Sequence, residues 1–237
     1  VPPTLTRWYP SGSAIEGRTP AFAARWTIVS NRSCYGPALS GKTTNLQWLH
    51  SRIRPAAKGN LMSLETKDDR TIFFDLLPVS FVSGQGVSIK IKLFTVPGQV
   101  LHNATRRIVL QGVDGVGFIA DSQISETEAN AESFHNLSEN LRDNGLDLRD
   151  MPLVIQFNKR DLPAIRSDEE IDRLAAVGQE PVYKAIATRG DGTIETFPGL
   201  LKLTWNAIEK RSKLSERFSI DPMEIMTHFE NIFMQEP

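Results

Sequence analysis

The segment Gly36-Pro-Ala-Leu-Ser-Gly-Lys-Thr-Thr44 has the spacing G-x-x-x-x-G-K-T and runs straight into a helical pattern. Successive backbone N–H groups of such a loop can line a nest for phosphate oxygens. A helix starting near Lys42 adds the positive end of its dipole. Lys42 supplies a point charge suited to β- and γ-phosphates, and the Thr43 hydroxyl suits a Mg²⁺ ligand. Gly36, Pro37, Ala38, Leu39, Ser40, Gly41, Lys42, Thr43 and Thr44 are therefore the candidate phosphate-binding residues. The loop by itself leaves the base and the reaction open.

A second motif, Asn158-Lys-Arg-Asp161, bears on the base. The Asp161 carboxylate can accept from guanine N1–H and the exocyclic N2 amine. Adenine offers no such donor pair, so ATP would leave the carboxylate unpaired, which argues against an ATP-dependent kinase. Asn158 would fix the base and the neighbouring loop, and the Lys159 stem would cover the base face. Thr95-Val-Pro-Gly-Gln99 closes a strand pattern. Gly98 can present its N–H to a γ-phosphate and Gln99 can orient an attacking water. In the loop 64–71, Thr71 is a candidate second Mg²⁺ ligand and Arg70 a candidate arginine finger acting in cis. Read alone, these segments are a glycine-rich turn, a polar tetrapeptide, a Pro-Gly turn and a solvated charged loop. Their shared placement gives them weight. His50, His102, His135 and His228 show no metal-ligand spacing, and nothing near Cys34 supports nucleophilic catalysis.

That placement follows from the elements. Residues 1–24 are rich in Pro, Gly, Ser and Thr without a period and read as a mobile tail, which contains the protease-site-like Ile15-Glu-Gly-Arg18. Trp26–Val29 is a β-prone run. The polar Ser30–Ser33 stretch separates it from Tyr35-Gly36, so either the strand is Ser33–Tyr35 or an insertion follows the strand. Thr43 to Ile53 has helical spacing, and residues 54–70 read as a loop. Thr71–Leu77 and Val87–Val96 form a strand pair around the turn Ser83-Gly-Gln-Gly86. Val113–Ala120, Leu153–Phe157 and Val182–Ala187 read as strands. Glu126–Leu141, Ser167–Val177 and Thr193–Leu214 read as helices, with a capping box at Ser167 and Glu170 and a disturbance at Pro198-Gly199. Asp221, Pro222 and Glu224 have the pattern of a capped helix start with a box-like arrangement. Ile225, Met226, Phe229, Ile232 and Phe233 then share one face. A helix this short must dock, in cis or in a partner's groove.

The alternation implies an α/β fold with a mostly parallel sheet and helices on both faces. Ligands of such sheets sit outside the carboxyl ends of the strands. The Gly36 loop, the Gly98 segment and the Asn158 motif each follow a candidate strand, so they gather on one edge. Composition fits one sizeable core: 237 residues, 40% hydrophobic, net charge −1. There is no electrostatic case for nucleic acid or an anionic membrane. A single cysteine excludes an internal disulfide framework and fits a reducing, cytoplasmic setting. No apolar run reaches the roughly 20 residues that span a bilayer. The start shows no signal-peptide core, and its valine leaves room for a longer N-terminus.

At Tyr35–Asn45, Asp69-Arg-Thr-Ile-Phe-Phe-Asp75, Thr95–Gln99, Gly112-Val-Asp-Gly115 and Asn158-Lys-Arg-Asp-Leu-Pro163 the chain resembles the bacterial MglA-type small Ras-like GTPases of gliding motility and cell polarity. The resemblance covers about residues 26–212. It implies a Ras-like P-loop fold, GTP and GDP as ligands, Mg²⁺-dependent slow GTP hydrolysis, a roadblock-fold activating partner, and polarity or motility effectors, with recruitment to cell poles. It also implies Arg70 as the built-in finger and Ala187-Thr188 as the last guanine-contacting loop. Thr95 follows this family's pattern where Ras has aspartate. The long N-terminal tail and the segment 215–237 depart from it. The organisation expected is a tail over 1–24, a GTPase domain over 25–214 and an extension with an amphipathic helix over 215–237. The competing expectation is a GTPase-like scaffold that no longer hydrolyses.

Overall fold

The computed structural model describes residues 26–64, 74–97 and 103–232. The expectations that fall on the tail 1–24, on Arg70, Thr71, Gly98 and Gln99, and on Phe233 lie outside the described residues.

Seven strands form one mixed sheet in the order β2-β3-β4-β1-β5-β6-β7. They are β1 (Trp26–Tyr35), β2 (Met62–Leu64), β3 (Phe74–Val82), β4 (Val87–Thr95), β5 (Gly115–Asp121), β6 (Leu153–Asn158) and β7 (Val182–Lys184). Strands β4, β1, β5, β6 and β7 run parallel, while β3 is antiparallel to both β2 and β4. Among the described residues seven α-helices accompany them: α1 (Lys42–Arg52), α2 (Asn103–Val109), α3 (Thr127–Asp143), α4 (Asp168–Val177), α5 (Thr193–Ser212), α6 (Leu214–Phe218) and α7 (Pro222–Asn231). This is the mostly parallel α/β sheet that the alternation implies.

The burial pattern of each strand reports how many of its faces are covered. Every residue of β5 is buried, as expected for a central strand with helices on both sides. In β4 Lys90 and Lys92 are exposed while Ile89, Ile91 and Leu93 are buried, so the β3–β4 end is packed on one face only. One core lies under α1 and α5 and contains Leu46, Leu49, Phe197, Leu201, Trp205 and Ile208. The other lies on the α3 side and contains Tyr35, Val116, Phe118, Leu137 and Leu141. Helix α5 comes close to β5 because Gly115 has no side chain. A Cβ there would sit 2.2 Å from Thr204 Oγ1.

The structure corrects the reading of Ser30–Ser33. There is no insertion: β1 is one ten-residue strand, paired in register with β4 from Trp26 to Cys34. Ser30 and Asn31 meet polar neighbours, whereas the Ser33 hydroxyl and two Arg32 nitrogens are buried without a hydrogen-bond partner among the described residues. Asp114, just before β5, accepts from the Ser30 hydroxyl and the Asn31 N–H, each at 2.9 Å. Arg32 is 1% exposed. Burial lowers its pKa to about 10, and the Asp114 charge opposes that shift.

Other differences are local. The segment read as a loop over 54–70 contains the edge strand β2. Helices α2 and α6 have no counterpart in the sequence reading, being too short for a period to show. Helix α5 continues through Pro198 without a break. The capping box at Ser167 and Glu170 is present.

Helix α7 starts as expected, with the Asp221 carboxylate accepting from Met223 N. Glu224 does not complete a box. Its carboxylate accepts instead from the Gly84 N–H in the β3–β4 turn, at 2.6 Å. The apolar face is covered within the chain: Ile225 and Phe229 are fully buried and Ile232 nearly so. Phe229 meets the rings of Phe81 and Trp205 edge-on. The Lys202 and Glu230 side chains pair at 2.6 Å beside it. Phe229→Ala should therefore cost about 3–5 kcal/mol of folding stability, read as a lower urea midpoint at unchanged slope. A midpoint equal to the parent's would show that α7 contributes nothing to the core.

Candidate functional site

Because β4, β1, β5 and β6 are parallel, their carboxyl ends and the segment after β7 open on one edge. Strand β1 passes directly into the Gly36 loop, which wraps back to start α1. The loop fits only because two of its residues lack side chains. At Gly36 (φ 145°) a Cβ would lie 2.2 Å from the Ile119 carbonyl oxygen, and at Gly41 (φ 97°) it would lie 2.2 Å from Asn158 Nδ2. No side chain caps the start of α1, and no acidic residue lies in its first turn. Its unpaired N–H groups and dipole remain available to an anion.

Lys42 is 7% exposed, and its ammonium donates to the Gly36 carbonyl at 3.0 Å and to the Pro37 carbonyl. Removal from water pushes its pKa down to about 7, and the charges of Arg106 and Lys159 add to the fall. These loop carbonyls are neutral, so the buried cation has the place and the charge demand of a phosphate ligand.

Asn158 ties the edge together. It is 2% exposed at the end of β6. Its amide donates to the Ser40 carbonyl at 2.8 Å and accepts from the Ala187 N–H at 2.9 Å. The sequence reading assigned it to the base and the adjoining loop; here it joins three loops. Lys159 takes a left-handed conformation (φ 65°) and its ammonium pairs with Asp121 at 2.5 Å. Leu39, Gly41, Thr44, Asn158, Lys159, Asp161, Leu162, Ala187 and Thr188 line a cavity of about 210 Å³. The Gly36 loop, the Asn158 motif and the Ala187–Thr188 segment are thus brought to one cavity. Asp161 lies on its exposed rim.

Beneath the loop lies a buried polar layer that the sequence reading missed. Asn45 Nδ2 donates to the Gly41 carbonyl and to Gln156 Oε1, each at 2.9 Å. Gln156 Nε2 donates to the Thr196 hydroxyl at 2.9 Å, and the Thr193 hydroxyl donates to Asn45 Oδ1 at 2.8 Å. The signal in the sequence was Gln156 itself, a polar residue inside the apolar run of β6.

Asp75 was also missed. It shares the inward face of β3 with Leu77 and Val79, a period-two signal for a buried acid. Its carboxylate accepts from the hydroxyls of Thr43 (2.7 Å), Ser63 (2.8 Å) and Thr95 (3.1 Å). Hydroxyl and carboxylate oxygens of this kind fit a hard cation such as Mg²⁺. Among the described residues no group of three His, Cys, Asp or Glu side chains is placed to hold a metal by itself.

No family model matches the chain. Over 176 residues it is 47% identical to the mutual gliding-motility protein MglA of Myxococcus xanthus (strain DK1622), a stretch that covers 74% of this chain and 90% of that relative. No described helix is long and apolar enough to cross a membrane.

Asn158→Ala removes the partner of two buried backbone groups. Each stranded group costs about 1–3 kcal/mol, so a clear drop in the unfolding midpoint is expected. The loops at 36–44 and 187–188 should also lose amide hydrogen-exchange protection together. Loss of protection in only one of them would refute the shared tie.

Proposed function

The chain belongs to the MglA family, whose Ras-like α/β fold its seven-stranded sheet has, and from that premise we propose that it is a guanine-nucleotide switch. It binds GTP and GDP with Mg²⁺, hydrolyses GTP slowly, and offers partners two surfaces in cell polarity or gliding motility. The observation that carries the reading is the cavity at which the Gly36 loop, the Asn158 motif and Ala187–Thr188 meet. The nucleotide-binding unit is taken as residues 25–214, preceded by a tail over 1–24. In the following extension, α7 packs on α5, with Phe229 against Trp205.

In this reading the base sits against the Lys159 stem, with Asp161 accepting from its N1–H and N2 amine. Ala187 and Thr188 close the far side. Residues Gly36 to Thr44 wrap the phosphates with backbone N–H groups, and Lys42 exchanges its neutral carbonyl partners for phosphate oxygens. Thr43 and Thr71 would hold the metal, the Thr43 oxygen ligating it through a lone pair while its O–H still donates to Asp75. A bound Mg²⁺ would neutralise phosphate charge as the β–γ bond breaks. Gly98 meets the γ-phosphate through its N–H. Gln99 orients the attacking water and Arg70 neutralises charge that builds only in the transition state. Loss of the γ-phosphate frees Thr71 and Gly98, which is the switch. Its partners are a roadblock-fold activator and polarity or motility effectors, and it works in the cytoplasm with recruitment to cell poles.

Competition of unlabelled GDP, GTP and ATP against labelled GDP on the purified chain tests the ligand. Guanine nucleotides should displace the label and ATP should not. Asp161→Asn should move the preference toward xanthine nucleotides, because an amide now donates where the carboxylate accepted. Equal displacement by ATP and GTP overturns the guanine assignment, and Lys42→Ala binding as tightly as the parent overturns the phosphate site.

The roles of Gln99 and Arg70 separate binding from turnover. Gln99→Leu and Arg70→Ala should each leave GTP affinity within a few-fold yet lower activated single-turnover hydrolysis by at least about 100-fold. Unchanged turnover in both variants with a working activator would assign them no part in catalysis.

A further inference from the structure

Within Asn158-Lys-Arg-Asp161 the proposed chemistry gives Arg160 no part. Its side chain is 12% exposed, and both arms of its fork are engaged. Nη1 donates to the Arg166 carbonyl and Nη2 to Asp168 Oδ1, at the start of α4, each at 2.7 Å. Its backbone N–H donates to the Ala185 carbonyl at 3.1 Å, two residues before the Ala187–Thr188 segment. Lys184 brings a second cation to Asp168 at 3.4 Å and holds Asp172 at 2.8 Å.

The bond to Arg166 closes the loop 160–166 across its base, and Asp161 lies inside that loop. The far end is held separately: the Arg166 N–H donates to the Ser122 carbonyl and the Ile124 N–H to the Ala164 carbonyl, each at 2.9 Å. The backbone between is strained. Lys159 (φ 65°) and Ala164 (φ 52°) take left-handed conformations without being glycine. Such conformations persist only where surrounding contacts hold them. An exposed ion pair would do little of this. A shielded arginine fork suits the task, because its donor directions are rigid and reach acceptors on different elements.

We propose that Arg160 is a positioning residue for guanine recognition, a staple that holds the Asp161 carboxylate at a fixed place against the Ala187–Thr188 wall of the cavity. The staple rests on the guanine-nucleotide reading given above. In that reading Asp161 accepts from both N1–H and the N2 amine. Asp161 stands on the exposed rim, so its carboxylate is aimed by the backbone that carries it. Two bonds to one planar base need the carboxylate placed and oriented together, whereas one bond tolerates slack. Hypoxanthine keeps the N1–H and lacks the N2 amine. The difference in affinity between guanine and hypoxanthine nucleotides therefore reads how well Asp161 is aimed. Phosphate contacts to the Gly36 loop are common to both and cancel.

Competition of GDP and inosine diphosphate against labelled GDP, on the full chain, tests it. The parent should prefer GDP. Arg160→Lys keeps the charge but places its donors on one atom and cannot reproduce the two directions of the fork. The preference for GDP should shrink at least about three-fold in this variant. Asp168→Ala removes one arm's partner and leaves the Arg166 bond, so the preference should shrink in the same direction and by less. Phe229→Leu, which loosens the packing on Phe81 and Trp205, should keep the parent's preference whatever it does to the melting temperature. If Arg160→Lys does not fold, the smaller preference is required of Asp168→Ala. An unchanged preference in the folded variant overturns the staple, as do GDP and inosine diphosphate affinities that fall together. Equal shrinkage in Phe229→Leu and Arg160→Lys overturns it too, since general loosening would then suffice. A parent that binds no guanine nucleotide, or binds the two diphosphates alike, overturns the functional reading and the staple with it. A parent that prefers GDP while the variants match it overturns the staple alone.

Discussion

The candidate site hangs on one buried amide. Asn158 gives its N–H to the Ser40 carbonyl and takes the Ala187 N–H on its oxygen. Three loops that leave three different places in the sheet are thereby held at fixed spacing. The bonds are short and shielded from water, where an unmade bond is costly and a made one directs the backbone. Gly41 has no Cβ because the amide occupies the space where one would be. The cavity walls, the Lys159 stem and the Asp161 rim all take their positions from this contact.

Polarity inside the fold is concentrated where geometry must be fixed. Asn45, Gln156, Thr193 and Thr196 form a closed set of hydrogen bonds below the start of α1. An apolar layer would permit several packings of similar energy, whereas a satisfied polar layer selects one register of α1 against β6 and α5. Asp75 does the same for β2, β3 and β4 by collecting three hydroxyls. Lys42 and Arg32 differ from these groups, each being a buried cation whose pKa burial lowers. The Lys42 ammonium donates to the neutral Gly36 and Pro37 carbonyls. Sites that must take up a strongly charged ligand carry this kind of imbalance.

Much of the fold was legible because its signals are short in range. The Gly36 and Asn158 motifs, the capping box at Ser167 and the alternation in β3 and β4 each depend on residues within a few positions of one another. What was hidden depends on distant partners. Ser30 to Ser33 looks unlike a strand until Asp114 is brought beside it. Glu224 looks like half of a capping box until the Gly84 N–H outcompetes the local donor. Arg106 reads as one more surface charge in α2 until Tyr35, Pro97 and Asn136 surround it. In the site, glycines and the terminal lysine were identifiable by type, whereas Asp75 and Gln156 were polar residues in buried runs whose partners lay on other elements.

The bond between Gly84 and Glu224 joins residues 140 positions apart, and that separation has a consequence for synthesis. The β3–β4 hairpin leaves the ribosome early, with Ile89, Leu77 and Val79 on one face. The side chains that cover this face near the turn, Ile225 and Phe229 among them, are added much later. Until α7 emerges, the turn end of the hairpin lacks that cover, the condition under which nascent strands associate wrongly. Emergence of α7 ends that exposure, so this helix sets the moment at which the face becomes safe from its neighbours.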